Sequence, residues 1–177
     1  LKVIGEYAFY QCRKIKKVNL DNAALETMGG YAFAGCIGLT DAVMSRILPV
    51  IPQYAFEGCT ALVSLTFKSK AGQWVTVDGH AFEGCDVLEE ITLPEGLASI
   101  GAEAFCSCAA LKSIVLPESL LTLGDNMFFD CESLAKVRIP ASVESIPYGL
   151  FTNCASLSEV ELSEGLTGIE TEAFWAC

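Results

Sequence analysis

The stretch that decides the fold is LKSIVLPESLLTLGDNMFFDC, residues 111–131. It begins with the spacing L-x-x-I-x-L, which places Ile114 and Leu116 on one side of an extended segment and Val115 on the other. Pro117 lacks the N–H group that a strand ladder needs, so the strand should end there. The first half of the stretch therefore predicts a short strand followed by a turn.

The second half of the stretch leads back to the core and then turns again. Leu120 and Leu123 supply apolar side chains, and Gly124 marks the next turn. In residues 125–131 the apolar side chains fall at positions i, i+1 and i+4. This spacing predicts a short helical turn with one buried face.

The same frame recurs along the whole chain. A Phe followed three residues later by a Cys occurs eight times, with the Cys at positions 12, 36, 59, 85, 108, 131, 154 and 177. A period of about 23 residues is the signature of a solenoid, in which each repeat stacks on the next. We predict an α/β repeat fold with a parallel β-sheet on the concave face and short helical turns on the convex face. Residues 1–177 should form a single domain of seven full repeats with partial ends.

Segments such as LPESLLTLGDNMFFDCESL (116–134) and IPASVESIPYGLFTNCASL (139–157) resemble the leucine-rich repeats of the BspA-like type. The resemblance extends over essentially the whole chain and implies a leucine-rich-repeat solenoid. It also implies protein binding or adhesion at a bacterial or protist cell surface. The segment shows no signal peptide or anchor, and an intracellular assembly is the alternative location. Because the chain opens in mid-repeat, we expect it to be part of a longer protein.

The charge and hydropathy of the chain narrow the classes of partner. A net charge of −11 disfavours nucleic acids and anionic membranes, which attract an excess of Lys and Arg. No apolar run approaches the roughly 18 residues of a membrane-spanning helix. We therefore expect a protein partner, no nucleic acid and no direct membrane insertion, and membership of a larger complex is compatible with the sequence.

The variable positions around the central Ile of each strand should project from the concave face. Each strand is written L-x1-x2-I-x3-L, where x1, x2 and x3 are the variable positions. These positions together carry five basic and five acidic residues, so this face is neutral. Residues of opposite charge lie side by side on neighbouring strands of this face. The candidate partner-binding residues on it are Lys16, Lys17, Asp41, Val43, Val63, Ser64, Thr66, Glu89, Glu90, Thr92, Lys112, Val115, Lys136, Arg138, Glu159 and Glu161. A solvated sheet face without a partner is the alternative interpretation.

Two insertions interrupt the period. One extra residue falls within residues 21–24, and three fall within residues 68–73, just before Trp74. Insertions in repeat proteins form surface loops that often lie on the binding face. Lys68 and Lys70 of the longer loop therefore join the candidate binding residues. Alternatively, the loop is a tolerated insertion and Trp74 fills a Leu position of the core.

The sequence shows no pattern that predicts catalysis or a bound cofactor. His80 is the only His, and neither a second His nor a C-x-x-C completes a four-ligand metal site. The eight periodic Cys suit a buried ladder of reduced thiols. Cys106 lies outside that ladder and is predicted to be a surface Cys, either reactive or without a role. We predict no catalytic, cofactor or metal site and no enzymatic activity.

Two hypotheses for function follow from these observations. The first is a non-enzymatic interaction module for adhesion or scaffolding, which binds a protein through the concave face and the inserted loop. The second is a structural spacer or accessory subunit of a larger assembly, held by its ends and its convex face.

Overall fold

The computed structural model describes residues 1–21, 24–44, 48–67 and 76–177. The longer insertion with Lys68 and Lys70, and Trp74 after it, lie outside the described residues, as do residues 22–23 of the shorter insertion. Each turn of the chain contributes one strand of three or four residues, which we call a front strand, and one strand of two residues, a return strand.

The front strands are β2 (Lys17–Asn19), β4 (Asp41–Met44), β6 (Ser64–Phe67), β8 (Glu90–Thr92), β10 (Ser113–Val115), β12 (Lys136–Arg138) and β14 (Glu159–Glu161). The return strands are β1 (Val3–Ile4), β3 (Thr27–Met28), β5 (Val50–Ile51), β7 (Thr76–Val77), β9 (Ser99–Ile100), β11 (Thr122–Leu123), β13 (Ser145–Ile146) and β15 (Gly168–Ile169). The sequence predicted the front strands. It predicted the return segments only as apolar positions, not as strands.

All strand pairs are parallel and one repeat apart, as a solenoid requires. Val137 of β12 pairs with Val160 of β14, for example, 23 positions later. The front strands form two ladders, β2-β4-β6 and β8-β10-β12-β14, and the return strands form β1-β3, β5-β7-β9-β11 and β13-β15. The predicted parallel β-solenoid of about seven turns, with a period near 23 residues, is confirmed.

The core lies between the front and return strands, and the alternation along each strand fills it. In β10, Ile114 is buried, whereas Ser113 and Val115 on either side of it are exposed. The return strands follow the same rule, since Ile100 and Ile146 are buried at the second position. No single repeat is able to bury these side chains alone, so stacking of neighbouring repeats provides the stability.

The prediction of short helical turns was wrong, because no described residue is helical. In residues 125–131, Asn126 and Asp130 adopt left-handed backbone angles, with φ of 53° and 58°. The N–H groups of Asn126, Phe128 and Asp130 donate to carbonyls of the next repeat, whereas those of Phe129 and Cys131 donate three residues back. An α-helix needs every N–H to reach the carbonyl four residues back, so this pattern excludes it. Within the described ranges, accordingly, no helix has the length and apolar character needed to cross a membrane.

The Phe and Cys of this turn form two ladders along the stack. The Phe rings stack almost parallel, as in the pairs Phe82–Phe105 and Phe105–Phe128, with centroids 5.3 and 5.9 Å apart. The Cys thiols donate to the carbonyl of the Phe one repeat earlier, as Cys131 does to Phe105 across 3.2 Å. All nine Cys are free, and the periodic ones between the first and last turns are buried. The burial of these Cys agrees with the predicted buried ladder.

Candidate functional site

The surface formed by the x1, x2 and x3 positions, which we call the strand face, is where the predicted binding residues lie. The x2 and x3 side chains occupy alternate positions of the front strands and point away from the core. In β8, β10, β12 and β14 they are exposed, and in β4 and β6 they are half-buried. The x1 residues directly precede the strands, where Lys16, Glu89 and Lys112 are exposed. Of the predicted set, only Lys68 and Lys70 are outside the described residues.

The predicted juxtaposition of opposite charges on neighbouring strands is present, in four pairs. The Nζ atoms of Lys17 and Lys112 lie 3.3 and 2.6 Å from carboxylate oxygens of Asp41 and Glu89. The two other pairs join Lys136 to Glu159 across 2.8 Å and Arg138 to Glu161 across 3.8 Å. The register of the parallel strands, one repeat apart, creates these contacts.

Lys136 is the most strongly engaged charge of this face. Its Nζ also lies 2.6 Å from Glu161, so it bridges two carboxylates of β14. The hydrogen bonds that Lys136 donates to these two carboxylates raise its pKa, and its hydrogen bond to Glu161 lowers the pKa of that carboxyl group. Arg138 has a second partner that the sequence did not predict, Glu118 of the preceding turn. The C-terminal part of the strand face is therefore a network of satisfied charges.

The middle of the strand face has few paired charges and more apolar surface. Val63 and Val115 are 57% and 63% exposed, and Thr92 between them is also exposed. Glu90 forms no ion pair with any described residue, and the same holds for Lys16 near the first front strand. This part of the strand face therefore combines apolar surface with a carboxylate that has no ion-pair partner among the described residues.

A cleft of about 720 Å³ opens at this point of the strand face. It lies between β6 and β8, the one place where the described front strands are not hydrogen-bonded in a ladder. Its walls are residues 63–67 on one side and residues 90–95 on the other. We call it the central cleft. The sequence did not predict the cleft, although the longer insertion, residues 68–73, falls between β6 and β8 along the chain.

We call the side of the turns that lies away from the strand face, with His80, Glu83 and Glu103, the back face. It holds a group of titratable residues that the sequence did not predict. His80, Glu83 and Glu103 bring one ligand atom each to the same place. His80 and Glu103 both stand two residues before the ladder Phe of their repeats, 23 positions apart. A comparison of the residues at this position in successive repeats would have predicted that His80 and Glu103 lie side by side.

The burial of Cys106 also differs from what the sequence predicted. The expectation of a surface Cys was wrong, since this side chain is only 8% exposed. Its Sγ lies 3.6 Å from the Oγ of Ser107, and burial raises the pKa of the thiol. A buried thiol with a raised pKa is a poor nucleophile at neutral pH.

Comparison with known proteins identifies the repeat. Residues 1–86 and 75–177 match the BspA type leucine-rich repeat region, in six copies. None of the curated proteins matches the chain in sequence.

Several solved structures share the fold. A leucine-rich repeat protein from T. pallidum is 31% identical, with a TM-score of 0.83 over 94% of this chain and 77% of that one. One from Eubacterium ventriosum is 18% identical, with a TM-score of 0.66 over 96% of this chain and 53% of that one. A leucine-rich cell surface protein from Faecalibacterium prausnitzii is 21% identical, with a TM-score of 0.51 over 100% of this chain and 68% of that one. The last two show the shared fold alone.

Proposed function

Because this chain belongs to the BspA-type leucine-rich repeat family, we propose that it is a non-enzymatic module that binds another protein through its strand face. Leucine-rich repeat proteins generally mediate protein interaction or scaffolding. They are typically not enzymes. The finer proposal, that residues 1–177 act as one domain and that the strand face makes the contact, is ours.

The observation that carries the proposal is the central cleft with its exposed rim. Val63 on one wall of the cleft and Val115 on β10, the strand that pairs with β8, are exposed apolar side chains. Apolar patches framed by polar residues are typical of interaction sites. Glu90 and Glu95 on one wall are exposed carboxylates. We infer that the segment bound at the cleft carries apolar side chains together with Lys or Arg. On either side of the central cleft the charges of the strand face are already paired with each other. The contact would therefore be limited to the centre of this face.

Family members are often surface-associated. We propose the same location for this protein, where the strand face would meet a partner on another molecule or cell. The longer inserted loop, with Lys68 and Lys70, borders the same region in sequence and belongs to the proposed contact surface.

A photo-cross-linking experiment tests the contact face. A photoreactive amino acid is placed at Val63 or Thr92 on the strand face and, as a control, at Glu132, an exposed residue outside it. We expect cross-links to the partner from the first two positions and none from the third. Glu90→Lys and Val63→Asp should then weaken the complex without lowering the melting temperature, whereas Glu132→Lys should do neither. Normal binding by both strand-face variants would contradict the proposal.

A second candidate function is a spacer or accessory subunit held by its ends and back face. The charge distribution favours it, because the strand face is neutral and the net charge of −11 therefore lies on the rest of the surface. The same cross-linking experiment separates the two functions. Cross-links from residues of the terminal turns and from Glu132, with none from the strand face, would support the spacer.

A further inference from the structure

The back-face group consists of one imidazole and two carboxylates at very short range. The Nδ1 atom of His80 lies 2.8 Å from Oε2 of Glu83 and 3.5 Å from Oε2 of Glu103. The three ligand atoms all lie within 4.8 Å of one another. All three side chains are partly exposed, between 21% and 38%, so an ion is able to reach them from solvent.

The backbone fixes the positions of all three residues. His80 and Glu103 occupy the same place in neighbouring turns, with φ of 57° and 56°. The N–H of His80 donates to the carbonyl of Ala102 across 2.9 Å, which locks the two turns together at this point. The N–H of Glu83 donates to the carbonyl of His80 across 3.2 Å. The separation of the ligands is therefore set by the stack and not by flexible loops.

The orientation of the imidazole is also restrained. The ring of His80 stacks on Tyr54 with centroids 4.5 Å apart and an angle of 11° between the planes. Tyr54 stacks in turn on Tyr31, at 4.4 Å. Such stacking leaves the ring edge, with Nδ1, directed at the two carboxylates. A metal ligand whose rotamer is already fixed loses little conformational freedom on binding.

The charges of the group are not balanced within the described residues. Two carboxylates approach one ring nitrogen, which carries at most one hydrogen and donates it to one of them. No Lys or Arg of the described residues forms an ion pair with Glu83 or Glu103. Like charges at this range repel each other unless a cation lies between them. A single imidazolium would neutralise only one of the two carboxylates.

We propose that His80, Glu83 and Glu103 bind a divalent transition-metal ion of the Zn²⁺ type, which joins two neighbouring turns of the solenoid. One nitrogen and two oxygen donors suit Zn²⁺, whereas Ca²⁺ and Mg²⁺ prefer oxygen alone. With metal–ligand bonds of about 2.1 Å, tetrahedral ligand atoms lie about 3.4 Å apart. The distances from Nδ1 of His80 to the two carboxylate oxygens, 2.8 and 3.5 Å, lie on either side of this value. Side-chain rotations are therefore enough to bring the three ligand atoms into tetrahedral geometry around the ion. The role is structural, and the remaining coordination positions are open to water.

Isothermal titration of the reduced 177-residue chain with ZnCl₂ tests the site. We expect one Zn²⁺ per chain, and at least a roughly hundredfold weaker affinity in His80→Gln, Glu83→Gln and Glu103→Gln, since even outer-shell partners contribute 10- to 100-fold. Glu132→Gln, the matched control, removes an exposed carboxylate elsewhere and should bind Zn²⁺ like the parent chain. Far-ultraviolet circular dichroism confirms that each variant folds. Absence of binding by the parent, or equal affinity in all four variants, would refute the site.

Two further readouts identify the ligands. Zn²⁺ should raise the melting temperature of the parent chain and of Glu132→Gln above that of His80→Gln, because the three ligands adjoin only in the folded state. The nine thiols, which bind Zn²⁺ in the unfolded chain, are the same in all three proteins and do not affect the comparison. Co²⁺ in place of Zn²⁺ should give visible absorption bands without a thiolate charge-transfer band, since the nearby Cys106 is not a ligand. A thiolate band, or the same melting-temperature rise in His80→Gln, would overturn this assignment.

Discussion

The Sγ atom of Cys108 donates a hydrogen bond to the backbone oxygen of Phe82 across 3.2 Å, from one turn of the solenoid to the turn before it. Both residues are completely buried. The carbonyl of Phe82 also accepts a hydrogen bond from the N–H of Cys85 across 3.2 Å, so the thiol adds a second hydrogen bond to an acceptor in the core. This contact gives the periodic Cys a role that an aliphatic residue of similar size lacks.

Cys108→Ala should lower the free energy of unfolding by about 1–2 kcal/mol, because it removes the hydrogen bond from the thiol to the Phe82 carbonyl and opens a small cavity. Cys177 makes the same hydrogen bond to Phe151, across 3.1 Å, but it is exposed in the last turn. Cys177→Ala should therefore cost less, since water replaces the thiol. Urea unfolding of both variants measures the difference. Equal losses would mean that burial of the hydrogen bond does not matter.

Alkylation of the folded chain at pH 8 should modify Cys177 and Cys12 first. Cys177 is exposed and Cys12 is half-buried, whereas the other Cys are buried. Burial raises the pKa of Cys59 and Cys108 to about 12, which leaves very little thiolate at pH 8. Peptide mapping by mass spectrometry after short exposure to iodoacetamide measures the order, and the denatured chain, in which all nine should react, is the control. Early modification of Cys106 would contradict its burial.

Stability should fall at alkaline pH because the buried thiols ionise only on unfolding. The pKa of Cys108 is about 12 in the folded chain and near 9 when unfolded, so the unfolded state binds fewer protons between these values. The contribution is present in full below pH 9 and is lost as the pH rises toward 12. Each such thiol adds a slope of about 1.4 kcal/mol per pH unit. Urea unfolding between pH 8 and 11 measures the slope, which should be smaller by this amount in Cys108→Ala. An unchanged slope would show that Cys108 does not titrate in this way.

The sequence predicted the strand face well because one physical rule determines it. Alternation along a strand decides which side chains are buried, so the burial of Ile114 between exposed neighbours follows directly from the pattern. Parallel register one repeat apart then decides which charges meet, as for Lys17 and Asp41. Neither step requires knowledge of the loops.

The turns were harder to predict because apolar spacing alone does not distinguish a helical turn from a turn with two left-handed residues. Both place residues i, i+1 and i+4 toward the core. Asn126 and Asp130 tolerate left-handed angles, but Tyr54, His80 and Glu103 do so as well without a sequence signal. The group of His80, Glu83 and Glu103 was not predicted because its members lie in two different repeats. Only the register between neighbouring repeats brings them side by side. The central cleft arises where that register is interrupted, beside residues outside the described ranges.

Gly124→Ala should destabilise the chain by at least about 1–3 kcal/mol through overpacking between turns. A Cβ atom added at Gly124 would lie 2.2 Å from the backbone of the preceding repeat, at Gly101 and Ala102, and backbone is not able to move aside. Gly5 holds the same position in the first turn, where an added Cβ meets nothing within 4 Å. Gly5→Ala is therefore the matched control and should leave stability nearly unchanged. Urea unfolding compares the two variants, and equal stability would show that the turns are able to separate at Gly124 without loss of packing.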